Sequence, residues 1–355
     1  MSQYLKPAYQ SLQAYIPGEQ PKDMSYVKLN TNESPYPPAP SVLNAVSQEE
    51  ISKLRLYSDP TNLNLKKKIA DLYGLNVENI FLGNGSDEIL SFAFMAFAGE
   101  TGVAYPDISY GFYSVYAALY GANAQEFPLK EDYSIDYRDY CNIGKMCVLA
   151  NPNAPTGKSI PVWQIEEILK SNPDYVVVID EAYVDFGGES CYPLLNQYDN
   201  LLVVRTFSKS RCMAGARLGY AFGNPDLIAD LEKLKFSTNP FNVDRLAQVL
   251  GEATIDANDY YMEKCSEIIT TREKTAKDLQ ELGFEVLESQ TNFLFAKSPA
   301  ISGYDLYLEL KKRGILVRHF AKPRTEAYVR ITIGTPDQMQ TFIAAVRDIL
   351  KGESL

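Results

Sequence analysis

The sequence predicts an α/β fold with a mostly parallel sheet in a large domain, a smaller α+β C-terminal domain and an N-terminal arm. Short apolar segments alternate with helical segments between about residues 62 and 240, a pattern typical of a parallel sheet covered by helices on both faces. After Pro240 a long helical stretch comes before further strands and helices, which indicates a separate unit. Residues 1–40 are rich in proline, and such a segment favours an extended conformation.

The alternating region begins with a helix whose apolar residues recur at helical spacing up to Gly74. Short runs of β-branched and other apolar residues then predict buried strands. In chain order the predicted elements are a helix over 63–73, a strand at 80–82, a helix over 88–98, strands at 103–105 and 147–150, a helix over 165–170, and strands at 176–180, 201–205 and 218–222.

The region after Pro240 is predicted to begin with helix and to continue as a small mixed unit. In chain order its elements are a helical stretch over 243–282 interrupted near Ala257 and Asn258, strands at 284–287 and 292–296, a helix over 304–312, strands at 316–318 and 328–333, and a helix over 336–350. We therefore predict an arm at 1–40 that contacts a second subunit, a large domain at 41–240 and a small domain at 241–355.

Composition argues against several classes of protein. A net charge of −11 argues against a nucleic-acid-binding surface. The single histidine, His319, argues against a histidine-rich metal site and a Ser-His-Asp triad. No apolar run is long enough to span a membrane, the first residues contain no apolar signal core, and the five cysteines form no CxxC pair. We therefore expect a cytoplasmic protein that has no membrane contact.

Lys209 is the candidate nucleophile, and it follows a predicted strand directly after Ser208. An amine is nucleophilic when it is partly deprotonated, which burial and neighbouring cations favour. Arg205, Arg211 and Arg217 are the candidate cations. Ser208 and Arg217 offer a hydroxyl and a planar guanidinium, a pair suited to a phosphate. A solvated surface lysine is the alternative.

The turn after the strand at 80–82 is a candidate anion site. Gly85 introduces a predicted helix start, where the backbone N–H groups of Ser86 and Asp87 have no partner within the helix. Such free N–H groups and the helix dipole attract a phosphate. An ordinary strand–helix turn is the alternative.

Asp180 ends a predicted buried strand, and Tyr183 follows it. A buried carboxylate is costly unless a cation compensates it, and a protonated pyridine nitrogen is such a cation. Tyr183 could donate its hydroxyl to an oxygen on the same ring. A helix-capping aspartate and a packed tyrosine are the alternative.

Three further features are candidates for ligand contacts. The loop at 151–157 contains two prolines and a glycine, so it is rigid and positions side chains at a strand end. Tyr110 is a candidate to stack on a planar ring, with core packing as the alternative. Arg318 and Arg330 lie in apolar strand contexts, where a guanidinium needs an anionic partner. They predict a substrate with two anionic groups, or two substrates that alternate; internal ion pairs are the alternative.

Six motifs in this order resemble those of the fold-type I pyridoxal-phosphate aminotransferases, and the sequence is most similar to the histidinol-phosphate aminotransferases among them. The motifs are Asn-Gly-Ser-Asp-Glu from residue 84, Asn-Pro-Asn-Ala-Pro-Thr-Gly from 151, Asp-Glu-Ala-Tyr from 180, Thr-Phe-Ser-Lys from 206, Ala-Gly-Ala-Arg-Leu-Gly-Tyr from 214 and Val-Arg-Ile-Thr-Ile-Gly from 329. The likeness extends from about residue 29 to about residue 334. It implies a seven-stranded sheet, pyridoxal 5′-phosphate as cofactor and glutamate as amino donor.

The resemblance implies a role for each matching residue. Lys209 would bond to the cofactor and carry the reacting proton, Asp180 would hold the pyridine nitrogen, and Tyr183 would hold the ring oxygen. The other implied cofactor contacts are Ser86, Asp87, Tyr110, Ser208, Arg217 and, from the neighbouring subunit, Tyr57. The implied substrate contacts are Arg330 for the α-carboxylate and Tyr15 and Arg318 for the distal anion. The contribution of Tyr57 implies a homodimer with shared active sites.

Two residues depart from the family pattern. Ala154 stands where the family usually has an asparagine that bonds to the ring oxygen, and Asn153 is the candidate substitute. Arg211 stands where small or apolar residues are common, so it either reinforces the phosphate site or is solvated.

Together these observations predict a transaminase of histidine biosynthesis. It would transfer the amino group between glutamate or 2-oxoglutarate and the pair histidinol phosphate and imidazole-acetol phosphate, without a metal. A threonine-phosphate decarboxylase and an aromatic amino-acid aminotransferase are alternatives on the same scaffold. A non-catalytic binding module is the alternative of another class.

Overall fold

A computed structural model describes residues 2–352. Met1 and residues 353–355, at the outer ends of the predicted arm and small domain, lie outside the described residues. The α-helices of the described part are α1 (Pro40–Leu43), α2 (Gln48–Ser52), α3 (Leu63–Tyr73), α4 (Gly85–Phe97), α5 (Phe112–Tyr120), α6 (Val162–Ser171), α7 (Pro225–Thr238), α8 (Arg245–Asp256), α9 (Asn258–Glu281), α10 (Gly303–Lys312) and α11 (Pro336–Lys351). None of these helices is long and apolar enough to cross a membrane.

The β-strands fall into one large sheet and two smaller ones. They are β1 (Val27–Lys28), β2 (Ile80–Gly83), β3 (Val103–Pro106), β4 (Ala124–Phe127), β5 (Met146–Ala150), β6 (Val177–Asp180), β7 (Leu201–Thr206), β8 (Gly219–Gly223), β9 (Glu285–Val286), β10 (Phe293–Lys297), β11 (Ile315–Leu316), β12 (Arg318–His319) and β13 (Tyr328–Thr332).

The large sheet has seven strands in the order β2-β8-β7-β6-β5-β3-β4. All neighbouring strands are parallel except β8, which is antiparallel to both β2 and β7. The carboxyl ends of β2, β5, β6 and β7 therefore meet at one edge of the sheet, where open α/β sheets bind their ligands. The predicted fold class, with its mostly parallel seven-stranded sheet, is confirmed.

The departures from the predicted elements have local causes. Helix α4 starts at Gly85, three residues earlier than predicted, because the glycine turn itself forms its first residue. Strand β4 was not predicted, since it lies at the edge of the sheet, is mostly exposed and contains no continuous apolar run. Helices α5 and α7 were not predicted either. The interruption predicted near Ala257 is present between α8 and α9.

The second part of the chain forms a four-stranded sheet in the order β12-β13-β10-β9, with antiparallel neighbours. Strand β1, which lies within the predicted arm, also joins this part, because it pairs in parallel with β11. The division at residues 40 and 240 stays a prediction.

A buried ion pair joins the ends of β6 and β7. Glu181, whose side chain is fully buried, accepts hydrogen bonds from Nε of Arg205 at 3.0 Å and from its NH2 at 2.9 Å. Glu181 also accepts from the Ser190 hydroxyl and the Cys191 N–H, while Arg205 reaches Asp185 at 3.3 Å. The loops that follow these two strands are therefore fixed relative to each other.

Arg205→Met is expected to lower the free energy of unfolding by about 3–5 kcal/mol, because Glu181 would remain buried without its cation. Chemical denaturation of the cofactor-free protein measures this loss. The double variant Glu181→Gln/Arg205→Met should be more stable than Arg205→Met alone, since it removes the unpaired charge. Losses that simply add in the double variant would contradict this account.

Candidate active site

A cavity of about 280 Å³ lies at the carboxyl edge of the large sheet. It is lined by Thr31, Glu33, Ser86, Asp87, Tyr110, Ala150, Ala154, Asp180, Ala182, Tyr183, Thr206, Ser208, Lys209, Ala214 and Arg217. All three predicted catalytic residues and five of the predicted cofactor contacts are in this set. Residues far apart in the chain thus meet because parallel strands end at the same edge.

Lys209 follows β7 and extends into the cavity. Its Nζ lies 3.4 Å from the backbone oxygen of Thr31 and 5.7 Å from the centre of the Tyr183 ring. The loop that carries it is held by the N–H of Ser208, which donates to Oγ1 of Thr206 at 3.0 Å. The amine therefore faces the cavity from a fixed backbone.

Asp180 is the last residue of β6, and it is 4% exposed. Its Oδ2 accepts a hydrogen bond from the Tyr113 hydroxyl at 2.9 Å, and its Oδ1 accepts from the Ala182 N–H at 3.2 Å. Burial raises the pKa of Asp180 to about 6, with Asp87 and Glu181 acting in the same direction and the two hydrogen bonds opposing them. The carboxylate is thus suited to a cationic ligand at the cavity wall.

The start of α4 and Arg217 together form a candidate anion site. No side chain caps this helix, so backbone N–H groups of its first turn face the cavity edge. Gly85 has φ +76, and a Cβ there would lie 2.6 Å from NH2 of Arg217, so the guanidinium packs directly on the turn. Gly219 allows β8 to approach the start of α4 closely, since a Cβ at this position would lie 2.5 Å from the Ser86 nitrogen.

Asp87 and Tyr110 complete this side of the cavity. Oδ2 of Asp87 accepts from NH2 of Arg217 at 3.1 Å, and Oδ1 accepts from the Tyr110 hydroxyl at 2.7 Å. Burial, followed by the charge of Asp87, raises the pKa of the Tyr110 hydroxyl. The tyrosine therefore stays neutral, and its ring is held at the cavity wall.

Arg318 and Arg330 face each other across β12 and β13, so their side chains lie on one face of the sheet. Both guanidinium groups lie over the Phe320 ring, at 5.5 and 5.4 Å. Both hydrogen-bond to backbone oxygens: Arg318 to those of Ile16 and Pro17, Arg330 to that of Asn30. Like charges directly opposite each other repel, so this pair is suited to anionic ligands.

Tyr15 comes from the N-terminal segment and lies beside the same arginines. Its ring stacks on Phe112 at 4.3 Å between centroids. Burial raises the pKa of its hydroxyl, and the charges of Arg330 and Arg318 act in the opposite direction. The three predicted substrate contacts therefore meet in the tertiary structure, although they do not line the cavity that contains Lys209.

Two predicted cofactor contacts lie away from the cavity of this chain. The amide of Asn153 is occupied within its own loop: Nδ2 donates to the oxygens of Ile108 and Thr156, and Oδ1 accepts from Ser109. Asn153 is therefore not the substitute expected for the asparagine missing at 154, and the methyl group of Ala154 lines the cavity instead.

Tyr57 is the second of these residues, and its side chain is 79% exposed and stacked on Phe241. The backbone next to it is held by Ser58, whose hydroxyl donates to the Val243 oxygen, and by Lys235, whose Nζ donates to the Pro60 oxygen. An exposed aromatic ring is thus presented from a fixed loop.

The predicted roles of Arg205 and Arg211 as cations beside Lys209 need correction. Arg205 is paired with Glu181 and Asp185, as described above. Arg211 is 2% exposed, donates to Oδ1 of Asn258 and interacts electrostatically with the carboxylate of Asp185. It is therefore neither solvated nor part of the anion site, because its charge is balanced inside the protein.

Sequence reasoning missed three residues that contact the site. Thr31 reaches Lys209 through its backbone oxygen, Asn32 donates from Nδ2 to the Tyr183 hydroxyl at 2.9 Å, and Tyr113 donates to Asp180. The polar run from Asn30 to Glu33 next to the apolar Leu29 was the available signal for the first two. Tyr113, three residues after Tyr110, had no distinguishing signal.

Comparison with known proteins extends over almost the whole chain. A sequence model of the family "Aminotransferase class I and II" matches residues 25–346. The histidinol-phosphate aminotransferase of Brachyspira hyodysenteriae is 50% identical over 353 residues, which cover 99% of this chain and 100% of that protein.

Solved structures agree with this match. The histidinol-phosphate aminotransferase of Clostridium acetobutylicum has a TM-score of 0.85 and 26% identity, covering 92% of this chain and 99% of that one. The histidinol-phosphate aminotransferase of Sinorhizobium meliloti, solved in complex with pyridoxal-5′-phosphate, shares the fold with a TM-score of 0.85 and 23% identity, covering 100% of this chain and 99% of that one. The resemblance found in the sequence motifs is confirmed. The chain belongs to the class I and II aminotransferases, and among them to the histidinol-phosphate aminotransferases.

Proposed function

We propose that this protein is a pyridoxal-phosphate-dependent transaminase that exchanges an amino group between glutamate and imidazole-acetol phosphate, giving 2-oxoglutarate and histidinol phosphate. The observation that carries the proposal is one cavity that brings together an amine, Lys209, a buried carboxylate, Asp180, and an anion site at Arg217. A cofactor with a cationic ring and an anionic tail fits this arrangement of charges.

The residues present fit pyridoxal 5′-phosphate. Asp180 would hold its ring nitrogen, because a buried carboxylate favours a protonated partner. Ser208, Arg217 and the N–H groups of Ser86 and Asp87 would hold its phosphate, with Tyr110 against the ring. When bound, the cofactor supplies an electron sink for the α-carbon of the amino donor.

The proton chemistry belongs to Lys209. Its Nζ would take the proton from the α-carbon of the amino donor and return a proton to the carbon of the acceptor, which is general acid–base catalysis by one group. The Tyr183 hydroxyl would donate to the ring oxygen of the bound cofactor. The backbone oxygen of Thr31 lies 3.4 Å from Nζ. It orients the amine while the amine is not bonded to another group.

The arginine pair accounts for two alternating substrates. Glutamate carries two carboxylates, and histidinol phosphate carries a phosphate instead of an α-carboxylate. Arg330 would bind the α-carboxylate of glutamate, while Arg318 with Tyr15 would bind the second carboxylate of glutamate or the phosphate of histidinol phosphate. Since the two guanidinium groups lie on one face of the small sheet, both anions would bind on that face.

The alternatives receive less support. A threonine-phosphate decarboxylase and an aromatic aminotransferase share the scaffold, so the fold does not separate them from this proposal. End-to-end identity of 50% with a protein named for histidinol phosphate favours that substrate. Release of CO₂ from threonine phosphate, or a preference for aromatic donors over histidinol phosphate, would favour the alternatives.

We also propose that two copies of the chain form a homodimer with shared active sites. Tyr57, exposed and held at the end of a fixed loop, would reach the cofactor phosphate of the neighbouring subunit. The exposed apolar side chains Leu54, Leu56 and Phe236 are candidates for the same interface. The cytoplasmic location stays a prediction.

Lys209→Ala is expected to lower transamination of histidinol phosphate with 2-oxoglutarate at least about 10³-fold, because the proton carrier is lost. Formation of glutamate measures the rate, and visible absorbance of the purified protein reports cofactor attachment. Lys170→Ala, on the surface of α6, is the matched control and should leave both unchanged. Retention of full activity without Lys209 would refute the proposed function.

Asp180→Asn is expected to stabilise the cofactor-free protein at pH 8 by about 1–3 kcal/mol while weakening cofactor binding. The folded pKa of about 6 lies above the 3.8 of an unperturbed aspartate, so ionisation costs stability increasingly as pH rises between these values. The advantage of the variant should therefore vanish below about pH 4. Denaturation curves at several pH values measure it, and an equal difference at all pH values would contradict the assignment.

Shared sites predict complementation between two impaired variants, Lys209→Ala and Tyr57→Ala. In a heterodimer of these variants one of the two sites is intact, so random mixing should restore about a quarter of wild-type activity at limiting cofactor. The control mixes Lys209→Ala with Arg217→Ala, whose residues line the same cavity, and it should restore none. Equal outcomes in the two mixtures would exclude sites shared through Tyr57.

A further inference from the structure

The hydroxyl of Tyr183 accepts one hydrogen bond, from Nδ2 of Asn32 at 2.9 Å. Among residues 2–352 no acceptor takes the proton of this hydroxyl. The ring of Tyr183 is fixed, because it is 9% exposed and packs edge-on against Phe293 at 5.2 Å. With its acceptor side occupied, the hydroxyl has its own proton free for a group in the cavity that it lines.

Asn32 is held in place on every side. It is 1% exposed and has φ +56, a left-handed conformation that asparagine tolerates better than most residues. Its N–H donates to Oγ1 of Thr332 at 2.9 Å, and its backbone oxygen accepts from Nδ2 of Asn292 at 3.0 Å. A buried residue with a strained backbone and satisfied polar groups marks a position whose side chain matters.

The partners of Asn32 determine which way its amide points. The hydroxyl of Thr332 already accepts the Asn32 N–H, and it donates its own proton to Oδ1 of Asn32 at 3.0 Å. If the amide were turned over, the proton of Thr332 would lose this acceptor. Oδ1 therefore faces Thr332, and the NH₂ group faces Tyr183.

From this hydrogen-bond network we propose that Asn32 is a positioning residue, which fixes the Tyr183 hydroxyl as a donor toward the ring oxygen of the bound cofactor. The inference rests on the proposed function. Ala154, which also lines the cavity, offers only a methyl group, so the direction of this one hydroxyl carries the interaction. Asn32 acts through Tyr183 and need not touch the cofactor.

Asn32→Asp tests the proposal, because a carboxylate accepts hydrogen bonds only and would draw the Tyr183 proton away from the cavity. A hydrogen-bond donor to the ring oxygen stabilises the anionic form of that oxygen, and the variant loses this donor. The pH midpoint of the change in visible absorbance of the holoenzyme should therefore rise by about one unit. Asn32→Gly, which suits the left-handed backbone, removes the amide without adding charge and should raise the midpoint less.

The Tyr183→Phe background separates the hydrogen bond from the added charge. There Asn32→Gly should shift the midpoint no further, and Asn32→Asp should shift it only by the effect of its charge. Asn142→Gly, another left-handed asparagine but an exposed one, is the control and should leave the midpoint unchanged. Thermal denaturation of the cofactor-free variants identifies any loss of folding.

The proposal is overturned if both Asn32 variants keep the wild-type midpoint, or if their shifts are the same with and without the Tyr183 hydroxyl. Failure of the proposed function looks different. In that case the wild-type protein would show no visible absorbance with added cofactor, and no midpoint would exist to compare.

Discussion

The carboxylate of Asp180 is buried at the end of a fully buried strand, and the arrangement of the site follows from that burial. Two neutral donors, the Tyr113 hydroxyl and the Ala182 N–H, hold the carboxylate without neutralising it. Nearby acids make its ionisation still less favourable. The cofactor-free protein thus keeps a destabilising charge that a cationic ring would compensate, which links cofactor binding to stability.

The buried and half-buried arginines around the site fall into two groups, those with an acidic partner and those without one. Arg205 and Arg211 are compensated inside the protein by Glu181 and Asp185, and they stabilise the loops that follow β6 and β7. The guanidinium groups of Arg318 and Arg330 bond only to backbone oxygens among the described residues. The first group is structural, whereas the second has no acidic partner among the described residues and would suit an anionic ligand.

The N-terminal segment contributes several groups to the site. Tyr15 stacks on Phe112 within the electrostatic range of the arginine pair, the Thr31 oxygen approaches Lys209, and Asn32 donates to the Tyr183 hydroxyl. Asn32 also bonds to Thr332, two residues after Arg330 on β13. Asn32 therefore links Tyr183, a predicted cofactor contact, to the strand that carries Arg330, a predicted substrate contact.

The sequence by itself determined the fold class and the order of most strands and helices, and it predicted Lys209, Asp180, Ser208 and Arg217, which the structure brings to one cavity. These follow from local patterns: apolar runs mark buried strands, and chemistry-bearing residues stand directly at the ends of those runs. Only the tertiary structure shows the hydrogen-bond partners of Asn32, Tyr113, Asn153 and Arg211. Whether a buried polar side chain faces a ligand or another part of the protein depends on partners as far as 300 residues away, and no local pattern specifies those partners.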